Sequence, residues 1–357
     1  MDRSLLVFEK YVRSEATKKS YLYHFNRFLN WSKIKNGDGI LQLRESALQE
    51  MVEDYVFYLR SRISPNSFQP IVASLQLFFS MNDKILNWDK IKRMVPTQVK
   101  KSGHLAYQTE DVKKMLEGEH LRGRTLVHFL ASTGCRLGAI PELKLKHVEN
   151  MSHNCKCIKI YEGSNEEYQT FLTPEASKVL DEYLEKRKRD GEYLNEESPL
   201  FRASYQVGIQ KVKPMGLEAL RQVMQRVIRK TSVRKKITES RYNIMGVHGL
   251  RKRYGTIIKL NKDIPYSVGE RLLGHQIDLD PSYFRPTREN LFDAWLKIMP
   301  ELIVSDGERQ RIRAENAEKK AELLESEKDK RIVELETKHR ETQEQIRGLY
   351  ELLGKKD

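Results

Sequence analysis

The segment Pro96-Thr-Gln-Val-Lys-Lys-Ser-Gly-His104 divides the chain. Proline and glycine interrupt helical continuity, and the polar, basic residues between them have nothing to bury, so a linker is expected over residues 96–107. On either side the apolar residues recur with helical period. A length of 357 residues suffices for two such blocks, each with its own core, plus an appendage. One place breaks the helical rhythm: Ile158-Lys-Ile-Tyr161 and Gln169-Thr-Phe-Leu172 alternate around a Glu-Gly-Ser-Asn turn, which signals a hairpin. The expected fold is therefore mainly α with a small antiparallel β-sheet. It comprises a helical N-terminal domain (1–95), an α+β domain (108–300) and a charged helical tail (301–357).

In the first block Thr17 is a candidate cap for a helix with Tyr21, Leu22, Phe25, Phe28 and Leu29 on one face. Lys18, Lys19, His24, Asn26 and Arg27 then face solvent. Ser64-Pro65-Asn66-Ser67 opens another helix, carrying Ile71, Leu75, Phe78 and Phe79. In the second block Thr109, Glu110 and Asp111 open a helix, and Thr125 to Leu130 runs into the turn Thr133-Gly-Cys-Arg136. Helices are expected from Pro174 to Leu184 and from Gly216 to Ile228. Lys186-Arg-Lys-Arg189 reads as a solvated face, and Arg234-Lys-Lys236 as a basic loop. The amphipathic segment Arg288 to Met299, with Leu291, Phe292 and Trp295, packs either on its own domain or on a neighbouring protomer.

Charge narrows the partner. The net charge of +14 and pI near 9.4 suit a polyanion, because clustered Lys and Arg release condensed counterions from nucleic acid. Residues 308–357 hold 13 Lys+Arg and 13 Asp+Glu, so the whole excess lies in the two domains. In that tail Ile332, Leu335, Ile346, Leu349 and Leu353 fit heptad positions, but His339 and Thr342 fill two others and the register slips before Ile332. Both a self-associating coiled coil and a solvated helix are compatible with this. No run approaches the roughly 18 apolar residues of a membrane span, and Met-Asp-Arg-Ser-Leu-Leu lacks a secretory cleavage pattern, so a cytoplasmic, nucleoid-associated protein is expected. Cys135, Cys155 and Cys157 make no disulfide framework, and His153, Cys155 and Cys157 lack the second ligand pair of a metal site. They read as a surface turn entering a strand, with no cofactor expected.

The chemistry lies in four boxes: Thr133-Gly-Cys-Arg136, His248-Gly-Leu-Arg251, Leu273-Gly-His275 and Ser282-Tyr283-Phe-Arg285-Pro286. A phosphodiester repels nucleophiles through charge that grows on its nonbridging oxygens. Two guanidinium forks can neutralise that charge without metal. The His-x-x-Arg spacing places both side chains on one helical face. Jointly, and with Tyr283 eight residues after His275, these boxes resemble the active site of the tyrosine recombinases, or phage-type integrases, and the last box resembles archaeal members. The resemblance spans most of residues 1–300.

That resemblance implies a helical core-binding domain and a catalytic domain closing on double-stranded DNA as a C-shaped clamp, with tetramers exchanging strands between two duplexes. It makes Tyr283 the nucleophile, Arg136 and Arg251 the phosphate ligands, and His248 the group that takes or shares the phenol proton. His275 holds phosphate or positions Tyr283. The product is a covalent 3′-phosphotyrosyl DNA with a free 5′-hydroxyl, formed without metal or ATP. DNA contacts are expected from Lys18, Lys19, Arg27, Lys100, Lys101, Lys235, Lys236 and Lys252. The tyrosines Tyr161, Tyr168, Tyr205, Tyr254 and Tyr266 read as packing residues.

Three positions depart from the family pattern. Ala139 stands where an acidic residue usually supports the first arginine, with Glu142 as a nearby stand-in. Asn165 stands in the hairpin turn where the lysine that protonates the leaving 5′-oxygen is expected, which leaves Lys159 as the replacement. Phe284 occupies the place of the tyrosine in many bacterial relatives. The competing readings are a type IB topoisomerase-like enzyme and a catalytically weakened DNA-binding protein of the same fold.

Overall fold

A computed structural model of the protein describes residues 2–12, 14–98, 103–209, 211–238, 241–276 and 284–353. It separates into two compact units, Met1–Lys101 and Ser102–Asp357. The first is all helical: α1 (Arg3–Lys10), α2 (Glu15–Ser32), α3 (Gly37–Ile40), α4 (Glu45–Arg60), α5 (Phe68–Met81) and α6 (Trp88–Met94). Its core is aromatic. Phe8, Phe25, Phe28, Tyr55, Phe78 and Phe79 are buried, with Phe25 and Phe78 ring centroids 3.8 Å apart. The apolar faces read from the sequence are the ones buried. The cap is not Thr17: α2 begins three residues earlier, where the Ser14 side chain accepts from the Thr17 backbone N–H. The hydroxyl of Ser74 on α5 donates to the Tyr21 carbonyl at 2.7 Å, which satisfies a buried polar group at the helix contact.

The second unit contains α7 (Thr109–Leu116), α8 (Leu121–Thr133), β1 (Val148–Asn150), β2 (Lys156–Ile160), β3 (Tyr168–Leu172), α9 (Pro174–Arg189), α10 (Leu217–Lys230), β4 (Lys236–Thr238), β5 (Arg241–Tyr242), α11 (His248–Leu260), α12 (Tyr266–Leu272), α13 (Arg288–Leu296), α14 (Met299–Leu302) and α15 (Asp306–Leu353). The expected hairpin is β2–β3, antiparallel with Ile160 opposite Tyr168, and β1 extends it on the β2 edge. Helix α8 lies at the centre, packed against α7, α9, α10 and α11. Its end is tied to β3, since Ser132 Oγ donates to the Phe171 carbonyl and accepts from the Thr173 N–H. Residues of the expected linker belong to this unit. His104 and Leu105 bridge to Ile244, and Tyr107 is buried in the core.

Several local expectations change. Arg187, within the run read as a solvated face, is 0% exposed at the last turn of α9. Its guanidinium donates to Glu192 Oε2 at 3.0 Å and to the carbonyls of Pro199 and Leu200 at 2.8 and 3.0 Å, so its charge and geometry are satisfied internally. Arg187→Met is expected to leave buried Glu192 and both carbonyls short of donors and to cost about 3–5 kcal/mol in a denaturant titration. Arg234 is not in a free loop: it donates to the Ile244 carbonyl at 2.9 Å and lies 4.0 Å from the Tyr242 ring centre, while Lys236 pairs in β4. The exposed turn at residues 152–154 does enter a strand, β2, and Cys155 and Cys157 behind it are buried in the core. Trp295 and Phe292 of α13 are buried against Phe171 of the same unit, so in this chain that apolar face packs on its own unit.

The tail is a 48-residue helix, α15, whose start is docked. Ile312 is buried, and Arg309 donates to the Ile303 carbonyl. Beyond Arg313 the described side chains are exposed through Arg347. No helix among the described residues is long and apolar enough to cross a membrane.

Candidate active site

The C-terminal end of α8 reverses at Gly134, at φ +59°, where a Cβ would sit 2.3 Å from the Tyr254 ring. Only glycine combines that left-handed backbone with so close an approach. Tyr254 is itself fixed: its hydroxyl meets Thr170 Oγ1 at 3.2 Å, and Thr170 donates to the Thr133 carbonyl. The reversal presents Arg136, whose side chain is 42% exposed with Glu166 of the β2–β3 turn 3.9 Å away. The carboxylate beside Arg136 is thus Glu166. Glu142 is exposed and is not paired with it.

Arg251, one turn into α11, is 7% exposed. It donates through Nη1 to the Gly134 carbonyl at 2.8 Å and through Nη2 to the Leu273 carbonyl at 2.6 Å and to His275 Nε2 at 3.0 Å. One guanidinium therefore joins its own box to two others, one 117 residues before it and one 22 residues after it in the chain. His275 follows Gly274, whose φ is +65° and whose Cβ would meet the Tyr168 ring at 2.4 Å. Here α12 closes in a Schellman cap: the His275 N–H bonds the Glu270 carbonyl and the Gly274 N–H bonds the Arg271 carbonyl. The cap brings the side chains together as well, with His275 Nδ1 2.5 Å from Glu270 Oε2. Burial pushes the Glu270 carboxyl up, but the ammonium of Lys259 at 2.9 Å and the His275 ring outweigh it and hold it below its usual value.

His248 opens α11 and is exposed. Partial desolvation of its ring, together with the cations Lys252, Arg251 and Arg136, holds it below the usual imidazole value. At neutral pH it is a proton acceptor. Burial pushes the Cys135 thiol up to about 11, so it stays neutral beside Arg251. Burial likewise raises the phenols of Tyr168 and Tyr254 and keeps them protonated. Tyr266 does not pack: it is 71% exposed on α12. Tyr283 lies outside the described residues. Phe284, which follows it in the chain, has its carbonyl bound by Arg271 of α12 at 3.2 Å.

Lys159 is drawn elsewhere. It pairs with Glu162 at 3.3 Å, and the same carboxylate takes His147 at 3.1 Å and Lys146 at 3.5 Å. Asn165, in the turn, is held to the neighbourhood of His275 by its backbone: its carbonyl accepts from Gln276 at 3.2 Å.

Of the expected DNA contacts, Lys19 and Lys235 are exposed, and Lys236 sits in a groove with Arg221, Arg229, Arg234 and Tyr242. Lys18 is paired with Glu9 at 3.0 Å, and the Arg27 guanidinium lies 5.8 Å from the Tyr23 ring centre. Lys252 donates to the Gly103 carbonyl. Lys100 and Lys101 lie outside the described residues. Sequence reasoning missed Glu270, Lys259, Arg221 and Arg229. The signal for Glu270 was the glycine before His275, which marks a helix cap and so returns residue 275 to the side chain five positions earlier.

The model of the phage integrase family matches residues 106–278. Among solved structures, a fragment of the Tn1549 transposon integrase in complex with a circular intermediate DNA is similar at TM-score 0.53 and 11% identity, over 81% of this chain and 98% of that one. The XerH site-specific recombinase bound to its difH substrate, in a pre-cleavage complex, is similar at TM-score 0.50 and 17% identity, over 78% of each chain. Both likenesses concern the fold. No curated protein matches the chain.

Proposed function

The domain at residues 106–278 belongs to the phage integrase family, and from that premise we propose that the protein cuts and rejoins double-stranded DNA at specific sites through a 3′-phosphotyrosyl bond to Tyr283, using neither metal nor ATP. The observation that carries this reading is Arg251, buried and bound to Gly134, Leu273 and His275. Its three bonds use three of five N–H groups and leave one on Nε and one on Nη1, each able to donate to a phosphate oxygen. Arg136 supplies the second guanidinium from the exposed side. Preorganised donors of this kind stabilise charge that grows in the transition state without reorganising when it forms.

In the step itself the Tyr283 oxygen attacks phosphorus, its proton passes to His248, and the bond to the 5′-oxygen breaks. The 5′-oxygen takes a proton and leaves as a hydroxyl. The phosphotyrosyl ester retains the energy of the broken bond, so a 5′-hydroxyl from a second duplex reverses the reaction. Four protomers on two duplexes exchange strands in sequence, the groove of Arg221, Arg229, Arg234 and Lys236 holds the backbone, and α15 serves the self-association.

A second reading, a catalytically weakened DNA-binding protein, is favoured by Lys159 being engaged with Glu162 and by Asn165 in the turn. A nicked suicide duplex incubated with a chelator and no nucleotide separates the two. The proposal expects a denaturation-resistant DNA adduct, and its absence with DNA binding intact would favour the second reading. Asn165→Lys in the same assay is expected to raise the cleavage rate. An unchanged rate would mean that the leaving-group proton comes from another group.

A further inference from the structure

We infer that Glu270 is a positioning residue: it fixes the tautomer of His275 so that the ring offers its Nε2 lone pair to Arg251. The geometry requires this assignment. An arginine has no acceptor, so its Nη2 contact to His275 Nε2 at 3.0 Å makes that nitrogen the acceptor. The ring proton then lies on Nδ1, which faces Glu270 Oε2 at 2.5 Å and donates to it. The carboxylate is itself held in place, with its other oxygen 2.9 Å from the Lys259 ammonium. The Schellman cap sets the spacing through the backbone, since the His275 N–H is bonded to the carbonyl of Glu270 itself. A chain of four groups, Lys259, Glu270, His275 and Arg251, thus runs from the surface to the buried guanidinium. Without the carboxylate, the proton is free to move to Nε2, where it would face the arginine donor and push the fork out of register.

The tautomer claim stands on geometry alone, whereas its effect on cleavage rests on the function proposed above. The test therefore has two readouts on the full chain. In DNA-free protein with ¹⁵N-labelled histidine, and the signal assigned by its loss in His275→Gln, His275 is expected to be protonated at Nδ1. Glu270→Gln preserves shape but can turn its amide N–H toward the ring, so the signal should shift to the other tautomer or a mixture. In the suicide-duplex assay the same variant should cleave about ten- to a hundredfold more slowly, by analogy with the loss when carboxylates that orient metal-ligating histidines are removed. Its DNA affinity should be unchanged. A wild-type His275 protonated at Nε2 would overturn the inference, as would a Glu270→Gln protein with the wild-type tautomer and rate. If wild-type protein forms no adduct, the proposed function falls, and the tautomer readout still decides the role of Glu270.

Discussion

Tyr283→Phe is expected to abolish the covalent DNA adduct while leaving DNA affinity essentially unchanged. The substitution removes one oxygen and keeps the ring, so the cationic groups proposed to hold phosphate are untouched. Two described phenols near Arg251 are poor substitutes. Tyr168 and Tyr254 are buried in the core, and burial holds both in the protonated form. A phenol is a weak nucleophile at its ordinary pKa near 10 and depends on a neighbouring base. His248, whose pKa is lowered by partial desolvation and by Lys252, Arg251 and Arg136, is the base proposed for it. Denaturing electrophoresis of end-labelled suicide duplex after incubation with the variant checks the outcome. A full-strength adduct from Tyr283→Phe would assign the nucleophile elsewhere.

Arg251→Lys is expected to slow cleavage by about a thousandfold or more and to destabilise the catalytic unit at the same time. Removing one preorganised donor from a charge-stabilising site costs about a hundred- to a thousandfold in rate. Lysine also replaces a planar fork with a point charge that cannot span the three partners. The carbonyls of Gly134 and Leu273 and the Nε2 of His275 would compete for one ammonium. Each buried acceptor left unpaired costs about 1–3 kcal/mol. Single-turnover cleavage and thermal unfolding of the same preparation check both halves. A variant with wild-type stability and rate would mean that Arg251 neither joins the boxes nor touches phosphate.

The helices of the first unit were legible because aromatic residues recur on one face, and burying that face leaves few alternatives. The β2–β3 hairpin was legible by its alternation, whereas the three residues of β1 carry too little pattern to be seen before their partner is known. Arg187 was misread because a run of four basic residues at a helix end looks solvated. Only the return of the chain through Glu192, Pro199 and Leu200 surrounds it. The site divides in the same manner. Arg136, His248, Arg251 and His275 stand in recognisable boxes, but two of the three bonds by which Arg251 joins its box to the others go to backbone carbonyls, which every residue has and no motif records. Lys159 was assigned by position in the strand, and its nearest carboxylate, Glu162, decides where its ammonium goes.

Mapping the residue that carries DNA after suicide cleavage, by peptide mass spectrometry of the nuclease-trimmed adduct, tests the proposed phosphotyrosyl chemistry most directly. The expected result is a nucleotide on the peptide containing Ser282-Tyr283-Phe-Arg285-Pro286, joined through a 3′-phosphate to Tyr283. A linkage at any other residue, or no linkage in protein that binds its DNA fully, would contradict it.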